Sequence, residues 1–392
     1  MANAAVFTHR IRKDLALMLK ILHCADVHLD APFSLRNPEL SEIRRNELRG
    51  AFASMFLRVK QWNIDLVLIA GDLFDHASVL PETVKMLKRE FASIPDCRFV
   101  ISPGNHDPYT PYSKYATEEF PDNVYIFREE TPSCFQFDDI GATVCGYAFH
   151  GQSLPYSPLE SYSFPLDGNI RLLCAHADLR NTESSYAPLK RETLERLKID
   201  YAALGHVHNF EGIQRSGSTY YGYAGCFEGR GFDEPGLKGA VYAELTRRAD
   251  QTISANIKRI RFSKKHYEND TLDISGCSDP AEAAAKIREH IHLQKYDEDT
   301  ALRITLKGNV SPALVLRRDA IAAQLPALMQ FELEDQTRPE IGLRSLEEDP
   351  TIRGAYYGAL KEKLLYGNEE EKEIAQLALR LGLSVLEGGS AL

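Results

Sequence analysis

The chain has 392 residues, 44% of them hydrophobic, and a formal net charge of −10. This length and composition allow a large buried core and predict more than one domain. No segment reaches the roughly 18 consecutive apolar residues of a membrane-spanning helix, so no membrane partner is expected. The net acidity argues at first against nucleic-acid binding.

The beginning of the sequence, residues 1–18, is predicted to be an N-terminal extension. The apolar patch 15–19 is too short for the hydrophobic region of a signal peptide, and no cleavage pattern follows it. Met18 is the more natural start of the folded chain, so whether residues 1–17 belong to the native protein is left open.

The seven cysteines are scattered and form no C-x-x-C pair. Several lie in apolar runs, among them Cys24, Cys145 and Cys174. We therefore expect reduced, buried thiols and a cytoplasmic location.

Five short apolar runs predict buried strands of an α/β fold. Amphipathic patterns between them predict two helices, and a stretch rich in Tyr and Pro predicts loops and short strands. In chain order, the strands are 21–24, 66–70, 98–101, 171–174 and 201–204, the helices are 38–62 and 80–94, and the loop-rich stretch is 108–165.

Each predicted strand is followed, at once or within a few residues, by side chains that bind metals. These residues are Asp26 and His28, Asp72 and Asp75, Asn105 and His106, His176, and His206 and His208. In α/β proteins, sites form at the carboxyl ends of strands, where the following loops converge. An isolated Asp-x-His or a lone His is more often a surface turn or a hydrogen-bonded core histidine. The ordered set of five favours a metal site.

The residue types indicate which metals the site binds. Carboxylate, amide and imidazole groups without thiolates suit Mn²⁺, Fe²⁺ or Mg²⁺ better than a structural zinc ion. Two cations held roughly 3.5–4 Å apart usually share one bridging carboxylate. Asp72, which stands between the two groups of ligands in the sequence, is the natural bridge. A cation pair of this kind cleaves phosphate esters.

The motifs D-x-H, G-D-x-x-D, G-N-H-D, H and G-H-x-H resemble those of the calcineurin-like metallophosphoesterases. The likeness extends to DNA repair exonucleases of the SbcD type, especially the YhaO-like branch. It includes the stretch from Gly229 to Gly239, with the sequence GRGFDEPGLKG, and covers about residues 19–262 well.

The resemblance implies two divalent cations, Mn²⁺ first, with Fe²⁺ or Mg²⁺ as alternatives. It assigns one metal to Asp26, His28, Asp72 and His208, and the other to Asp72, Asn105, His176 and His206. It makes His106 the catalytic histidine, oriented by Asp75. It also implies a four-layer α/β/β/α metallophosphoesterase sandwich with a smaller α+β capping domain and C-terminal helices.

The predicted domains are a nuclease domain at 19–263, a capping α+β domain at 264–340 and a C-terminal helical region at 341–392. The capping domain is predicted to contain helices at 279–292 and 315–325 and strands at 301–307 and 331–334. By resemblance it positions DNA over the metals; a docking unit without substrate contact is equally compatible with its sequence. The C-terminal region carries two apolar stripes, which either pack in a core or, as the resemblance implies, bind the coiled coil of an SMC-like ATPase.

Two basic clusters offset the net acidity: 258–266, and Arg44, Arg45 and Arg49 on the first predicted helix. Such runs are usually solvated faces, but they are also compatible with binding to a DNA backbone. Homodimerisation through residues 40–60 and 80–115 is implied by the resemblance alone.

Three functions remain in competition. The favoured one is a Mn²⁺-dependent DNA nuclease, with exonuclease or endonuclease activity, that works with an SMC-like ATPase in DNA repair and recombination. The second is a small-molecule phosphodiesterase or phosphatase with the same metal core. The third is a scaffolding subunit of the ATPase with weak catalysis.

Overall fold

The computed structural model describes residues 18–33, 38–76, 79–311, 314–340 and 346–386. The predicted N-terminal extension therefore lies outside the described residues, except Met18, which begins the first strand. The chain divides into two compact units. The first extends to Asn269 and includes residues 299–301, and the second comprises Asp270–Glu298 and Leu302 onward. The predicted domain boundaries, after 263 and after 340, remain predictions.

The first unit contains a six-stranded sheet, here called the front sheet, in the order β12-β11-β1-β2-β3-β4. Strands β1 to β4 run parallel, β11 pairs antiparallel with β1, and β12 pairs antiparallel with β11. Its strands are β1 Met18–Cys24, β2 Leu66–Ile69, β3 Arg98–Ile101, β4 Val124–Ile126, β11 Gly239–Arg247 and β12 Ile253–Arg261.

A second six-stranded sheet, the back sheet, has the order β5-β6-β7-β8-β10-β9. Strands β6, β7, β8 and β10 are parallel, and β5 and β9 pair antiparallel at the two edges. Its strands are β5 Ser133–Phe137, β6 Ala142–Gly146, β7 Ile170–His176, β8 Tyr201–Gly205, β9 Gln214–Ser216 and β10 Thr219–Tyr223.

Three apolar cores hold the layers of the first unit together. One lies between the front sheet and helices α1 Pro38–Trp62 and α2 Pro81–Ala92. The middle core joins the two sheets, and the third covers the outer face of the back sheet with helix α4 Arg191–Leu197. A short helix, α3 Lys114–Thr117, interrupts the loop-rich stretch. The expected four-layer α/β/β/α sandwich is confirmed.

All five strands expected to carry the site are present. Their residues are almost wholly buried, as a continuous apolar run predicts. Strands β11 and β12 were not predicted, although β11 lies beside β1 in the centre of the front sheet. Part of the predicted basic cluster, Lys258 to Arg261, is the end of edge strand β12.

The second unit has its own small core. Helix α5 Pro280–Gln294 and helix α6 Arg318–Ala322 accompany a three-stranded sheet of β13 His266–Asp273, β14 Thr300–Lys307 and β16 Gln330–Asp335. A two-stranded sheet pairs β15 Asn309–Val310 with β17 Arg338–Pro339. Asp279 begins α5 by accepting hydrogen bonds from the main chains of Ala281 and Glu282, a typical N-cap.

The chain ends in a helical hairpin of α7 Ile352–Tyr366 and α8 Glu369–Leu386. Tyr357, Leu379 and Leu383 are buried between the two helices. One predicted stripe of α8 is instead exposed, with Ile374 at 62%, Leu377 at 50%, Leu381 at 42% and Val385 at 52%. The hairpin therefore has one packed face and one open apolar face.

One expectation from the sequence is wrong. Cys134 and Cys145, which oppose each other across β5 and β6, form a disulfide, while the five other cysteines are free and buried as expected. The three arginines of the basic cluster on α1, for which a solvated face and a DNA-binding surface were both left open, lie in ion pairs. Arg44 pairs with Glu47 and Glu228, Arg45 with Glu42, and Arg49 with Asp30 and Glu42.

Within the described part of the chain, every helix is too short or too polar to cross a bilayer.

Candidate metal centre

The predicted site residues converge at one edge of the sandwich. They follow the carboxyl ends of β1, β2 and β3 in the front sheet and of β7 and β8 in the back sheet. Because the strands are parallel within each sheet, their ends meet at the same edge. Main-chain hydrogen bonds join the loops, including Asp26 N–H to the carbonyl of Gly71 and His28 N–H to that of Asp72.

One group of donor atoms, here called the first position, contains Asp26, His28 and His208. Ligand atoms of these three residues all lie within 4.8 Å of one another. The Nε2 atoms of His28 and His208 are 3.3 Å apart, and Nε2 of His208 is 3.8 Å from Oδ1 of Asp26. Asp26 and His28 are buried, so a cation here would be largely shielded from water.

The second position lies around Asp72, Asn105 and His176. Nε2 of His176 is 2.8 Å from Oδ1 of Asn105 and 3.5 Å from Oδ2 of Asp72. The same Oδ2 atom is 3.8 Å from Nε2 of His28 in the first position. Asp72 thus reaches both positions, as a bridging carboxylate must.

His206 joins the site in a different way from the other predicted ligands. Its main-chain N–H donates to both carboxylate oxygens of Asp26, at 3.0 and 3.2 Å. Its ring packs against His176 and Tyr186, with ring centroids 5.3 and 4.9 Å away. Its role as a ligand remains a prediction.

Three glycines make room for the ligands. A Cβ atom on Gly104 would lie 2.2 Å from Oδ1 of Asp72, and one on Gly71 would lie 2.2 Å from Nδ1 of His176. A Cβ on Gly205 would lie 1.7 Å from the carbonyl oxygen of Ala70. These positions demand glycine because the backbone passes directly beside donor atoms.

Positive φ angles cluster at the site. Asp26, His28 and Asp72 have φ values of 49°, 50° and 51°, and His206 has 107°. Non-glycine residues rarely adopt this region, and such strain concentrates at functional sites, where the surrounding structure enforces it. The backbone therefore holds these donors in place at some cost in stability.

His106 is the most open of the site histidines, with 45% of its side chain exposed. Its Nδ1 lies 3.1 Å from the main-chain carbonyl oxygen of Asp75. Since a carbonyl only accepts, Nδ1 carries the hydrogen and Nε2 is left for a substrate. The Asp75 carboxylate, expected to orient His106, is 3.8 Å from that nitrogen and instead bonds Nδ1 of His28 at 3.0 Å.

Asp107 is an organising residue that the sequence prediction missed. One of its carboxylate oxygens accepts from the main-chain N–H groups of Asp72 and Gly104, and the other from Phe74 N–H and the Tyr115 hydroxyl. Burial and the nearby Asp72 charge raise the pKa of Asp107 to about 6. Asp107 is the aspartate of the G-N-H-D motif, and this place in the motif was the signal in the sequence that pointed to it.

Glu234 and Arg230 were also missed, although they lie in the quoted stretch 229–239. Oε1 of Glu234 is 2.6 Å from Nδ1 of His208. Arg230 contacts Glu234 at 2.9 Å and the Asp75 carboxylate at 3.4 Å. Burial opposes ionisation of Glu234, but hydrogen bonds from His208 and Arg230 hold its pKa well below its usual range.

The surroundings of His206 and His28 favour the neutral form of both rings. Burial lowers the pKa of His206 to about 4 and also lowers that of His28. Neutral imidazole is the form that binds a metal. Oxygen and imidazole donors, a bridging carboxylate and glycines beside the donor atoms together fit two hard divalent cations.

Comparison with known families agrees with this geometry. Residues 19–210 match the calcineurin-like phosphoesterase family. This part of the chain is a calcineurin-like phosphoesterase domain. The domain contains both metal positions, so the predicted family and a metal-dependent phosphoester hydrolase are supported by independent observations.

The chain also resembles individual proteins. It is 25% identical to the uncharacterized metallophosphoesterase YhaO of Bacillus subtilis, over 94% of this chain and 99% of that protein. It is 24% identical to the DNA double-strand break repair protein Mre11 of Methanopyrus kandleri, over 48% of this chain and 44% of Mre11. A probable cyclic nucleotide phosphodiesterase of Fibrobacter succinogenes is 26% identical, over 52% of this chain and 78% of that protein.

A cavity of about 360 Å³ opens beside His106. Its walls combine apolar and aromatic side chains with a few polar groups, the usual lining of a ligand pocket. They include Phe74, Pro108, Tyr115, Thr110, Lys114 and Gln152. His106 itself forms part of the wall of this cavity.

Proposed function

We propose that this protein is a Mn²⁺-dependent DNA nuclease that hydrolyses phosphodiester bonds. The observation that carries the proposal is the geometry of His106, an exposed histidine beside a double metal position with a cavity next to it. The likeness to the DNA double-strand break repair protein Mre11, over about half of the chain, supports the choice of DNA among phosphodiesters.

Bound cations would supply Lewis-acid stabilisation of the phosphate oxygens and a water nucleophile at neutral pH. One cation would be held by Asp26, His28 and His208, and the other by Asn105, His176 and His206. Asp72 would bind both cations. The protein must then donate a proton to the departing sugar oxygen. His106 is suited to this step: the Asp75 carbonyl accepts the hydrogen of Nδ1, so Nε2 is the ring nitrogen that would carry the proton to the sugar oxygen.

The His106 loop is held rigidly enough for this role. Its main-chain N–H donates to Oδ1 of Asp72 at 2.9 Å, and Asp107 ties the same loop to the one after β2. A catalytic histidine anchored to the bridging carboxylate keeps a constant distance to the phosphate.

Purified chain with Mn²⁺ should degrade linear duplex DNA. The test compares DNA with bis- and mono-p-nitrophenyl phosphate, using wild type and the variant His106→Ala, which excludes a contaminating nuclease. Loss of DNA cleavage in the variant supports the proposal. Hydrolysis of p-nitrophenyl phosphates without any DNA cleavage would contradict it.

The second candidate is a small-molecule phosphodiesterase, favoured by the likeness to the probable cyclic nucleotide phosphodiesterase. The cavity beside His106 has a volume of about 360 Å³, within the range that suits a small ligand. Cyclic nucleotides belong in the same assay. A kcat/KM for a cyclic nucleotide far above that for any DNA end would favour this alternative.

We further propose that the open face of the α7–α8 hairpin binds the coiled coil of an SMC-like ATPase. Ile374, Leu377, Leu381 and Val385 are exposed at helical spacing, a pattern typical of helix-to-helix recognition. The double variant Ile374→Glu/Leu381→Glu should lose co-purification with such an ATPase but keep metal-dependent hydrolysis. A chain ending at Glu347 should behave likewise. Unchanged binding in both would remove this partner surface.

A further inference from the structure

We propose that the two metal positions are unequal, and that the first position, built from Asp26, His28 and His208, binds its cation more tightly. The two positions differ in the groups that contact the ligand side chains from behind, on the side away from the cations. It concerns metal loading, so it does not depend on DNA being the substrate.

Both histidines of the first position are backed by carboxylates. Asp75 bonds the Nδ1 atom of His28 at 3.0 Å, and Glu234 bonds the Nδ1 atom of His208 at 2.6 Å. The two acidic side chains are only 13% and 5% exposed. A buried carboxylate on Nδ1 fixes the tautomer, leaves Nε2 free to bind a cation and increases its basicity.

Arg230 joins the two carboxylates into one network. Its guanidinium lies 3.4 Å from Oδ1 of Asp75 and 2.9 Å from Oε1 of Glu234, and its main-chain N–H donates to Oε2 of Glu234 at 2.8 Å. The two carboxylates thus share one guanidinium behind the first position. The arginine also holds both acids in their orientation, so neither needs to reorganise when a cation binds.

Among the described residues, no carboxylate is hydrogen-bonded to a ligand histidine of the second position. Nδ1 of His176 faces the main-chain carbonyl oxygen of Ala70 at 3.2 Å, and Asn105 carries no charge. Asp178 has an oxygen 3.8 Å from Nε2 of His206, beyond hydrogen-bonding distance. Asp72 reaches both positions and so does not discriminate between them.

The size of the difference follows from similar metal sites. Loss of one hydrogen-bonded partner behind a metal ligand typically lowers metal affinity by about 10–100-fold. Two such carboxylates at one position and none at the other should separate the two Mn²⁺ dissociation constants by at least about tenfold.

The test is a Mn²⁺ titration of the metal-stripped full chain, followed by electron paramagnetic resonance and by elemental analysis after dialysis. We expect an uncoupled single-ion signal up to one equivalent and a spin-coupled pair above it. Glu234→Gln should weaken the first ion by about 10–100-fold and leave the second nearly unchanged.

Glu228→Gln is the matched control, because Glu228 is a buried acid in the same segment that pairs with Arg44 instead of a ligand histidine. It should retain both binding steps. Asn105→Ala identifies the positions, since it should lose the weak ion and keep the tight one.

The proposal would be overturned if the two Mn²⁺ ions bound wild type with equal affinity. It would also be overturned by an unchanged titration in Glu234→Gln or by loss of the tight ion in Asn105→Ala. Circular dichroism of the metal-free proteins checks folding. If Glu234→Gln fails to fold, Asp75→Asn tests the same network from the His28 side and should weaken the same ion.

Discussion

The main-chain carbonyl oxygen of Asp75 accepts a hydrogen bond from Nδ1 of His106 at 3.1 Å. The carboxylate of the same residue bonds His28. Asp75 therefore orients His106, the proposed catalytic histidine, through its backbone and His28, a predicted metal ligand, through its side chain. Substitution of His106 and substitution of Asp75 should therefore have different consequences.

Replacing His106 by Ala should remove proton transfer but leave the metals, because His106 is not among the predicted ligands. We expect hydrolysis of bis-p-nitrophenyl phosphate to fall by about 10²–10⁴-fold while elemental analysis still finds both ions. Wild-type activity in a variant with full metal content would remove His106 from the mechanism.

Replacing Asp75 by Asn should preserve the orientation of His106, since the carbonyl is unchanged, and should weaken the hold on His28. We expect the first ion to bind about 10–100-fold more weakly, so that the Mn²⁺ concentration for half-maximal activity rises by up to about tenfold once this ion has become the weaker of the two, with most of the rate recovered at saturating metal. The measurement is activity against Mn²⁺ concentration. A rate at saturation as low as that of His106→Ala would return the Asp75 carboxylate to the proton-transfer step.

Replacing Gly104 by Ala should damage the bridging carboxylate. The added Cβ would lie 2.2 Å from Oδ1 of Asp72, a distance that forces this side chain to move. We expect loss of bound metal and of activity in elemental analysis and rate measurements. Gly151→Ala is the control, because a Cβ there meets no atom within 4 Å. Full metal content in Gly104→Ala would show that Asp72 does not need its present position.

Glu228, which is not a predicted metal ligand, should make the free energy of unfolding depend on pH. Burial raises its pKa from 4.5 to about 7, although the ion pair with Arg44 opposes the shift. The folded protein thus holds this proton more tightly than the unfolded chain. The free energy of unfolding should fall as the pH rises from about 4.5 to 7 and then level off, by roughly 3 kcal/mol from this group.

Urea unfolding of metal-free wild type and Glu228→Gln at several pH values between 4 and 8 measures this contribution. Gln cannot ionise, so the difference in unfolding free energy between the two proteins should change across that window. Parallel profiles would show that Glu228 has the same pKa in the folded and unfolded states.

Much of the site was predictable because its signals are local. A buried strand appears as a short apolar run, and a ligand that follows such a run lies at the carboxyl end of the sheet. Helix α1 was predicted with its observed ends, Pro38–Trp62. Strand β12 was missed because its half-exposed, basic pattern is not an apolar run.

The donor groups, their order along the chain and the family of the phosphoesterase domain can be read from the amino-acid sequence. The groups that lie behind each donor became visible once the chain was folded. Asp26 meets the N–H of a residue 180 positions away, and Arg230 reaches Asp75 across 155 positions. Such contacts depend on how two sheets pack face to face, and no local periodicity encodes that packing.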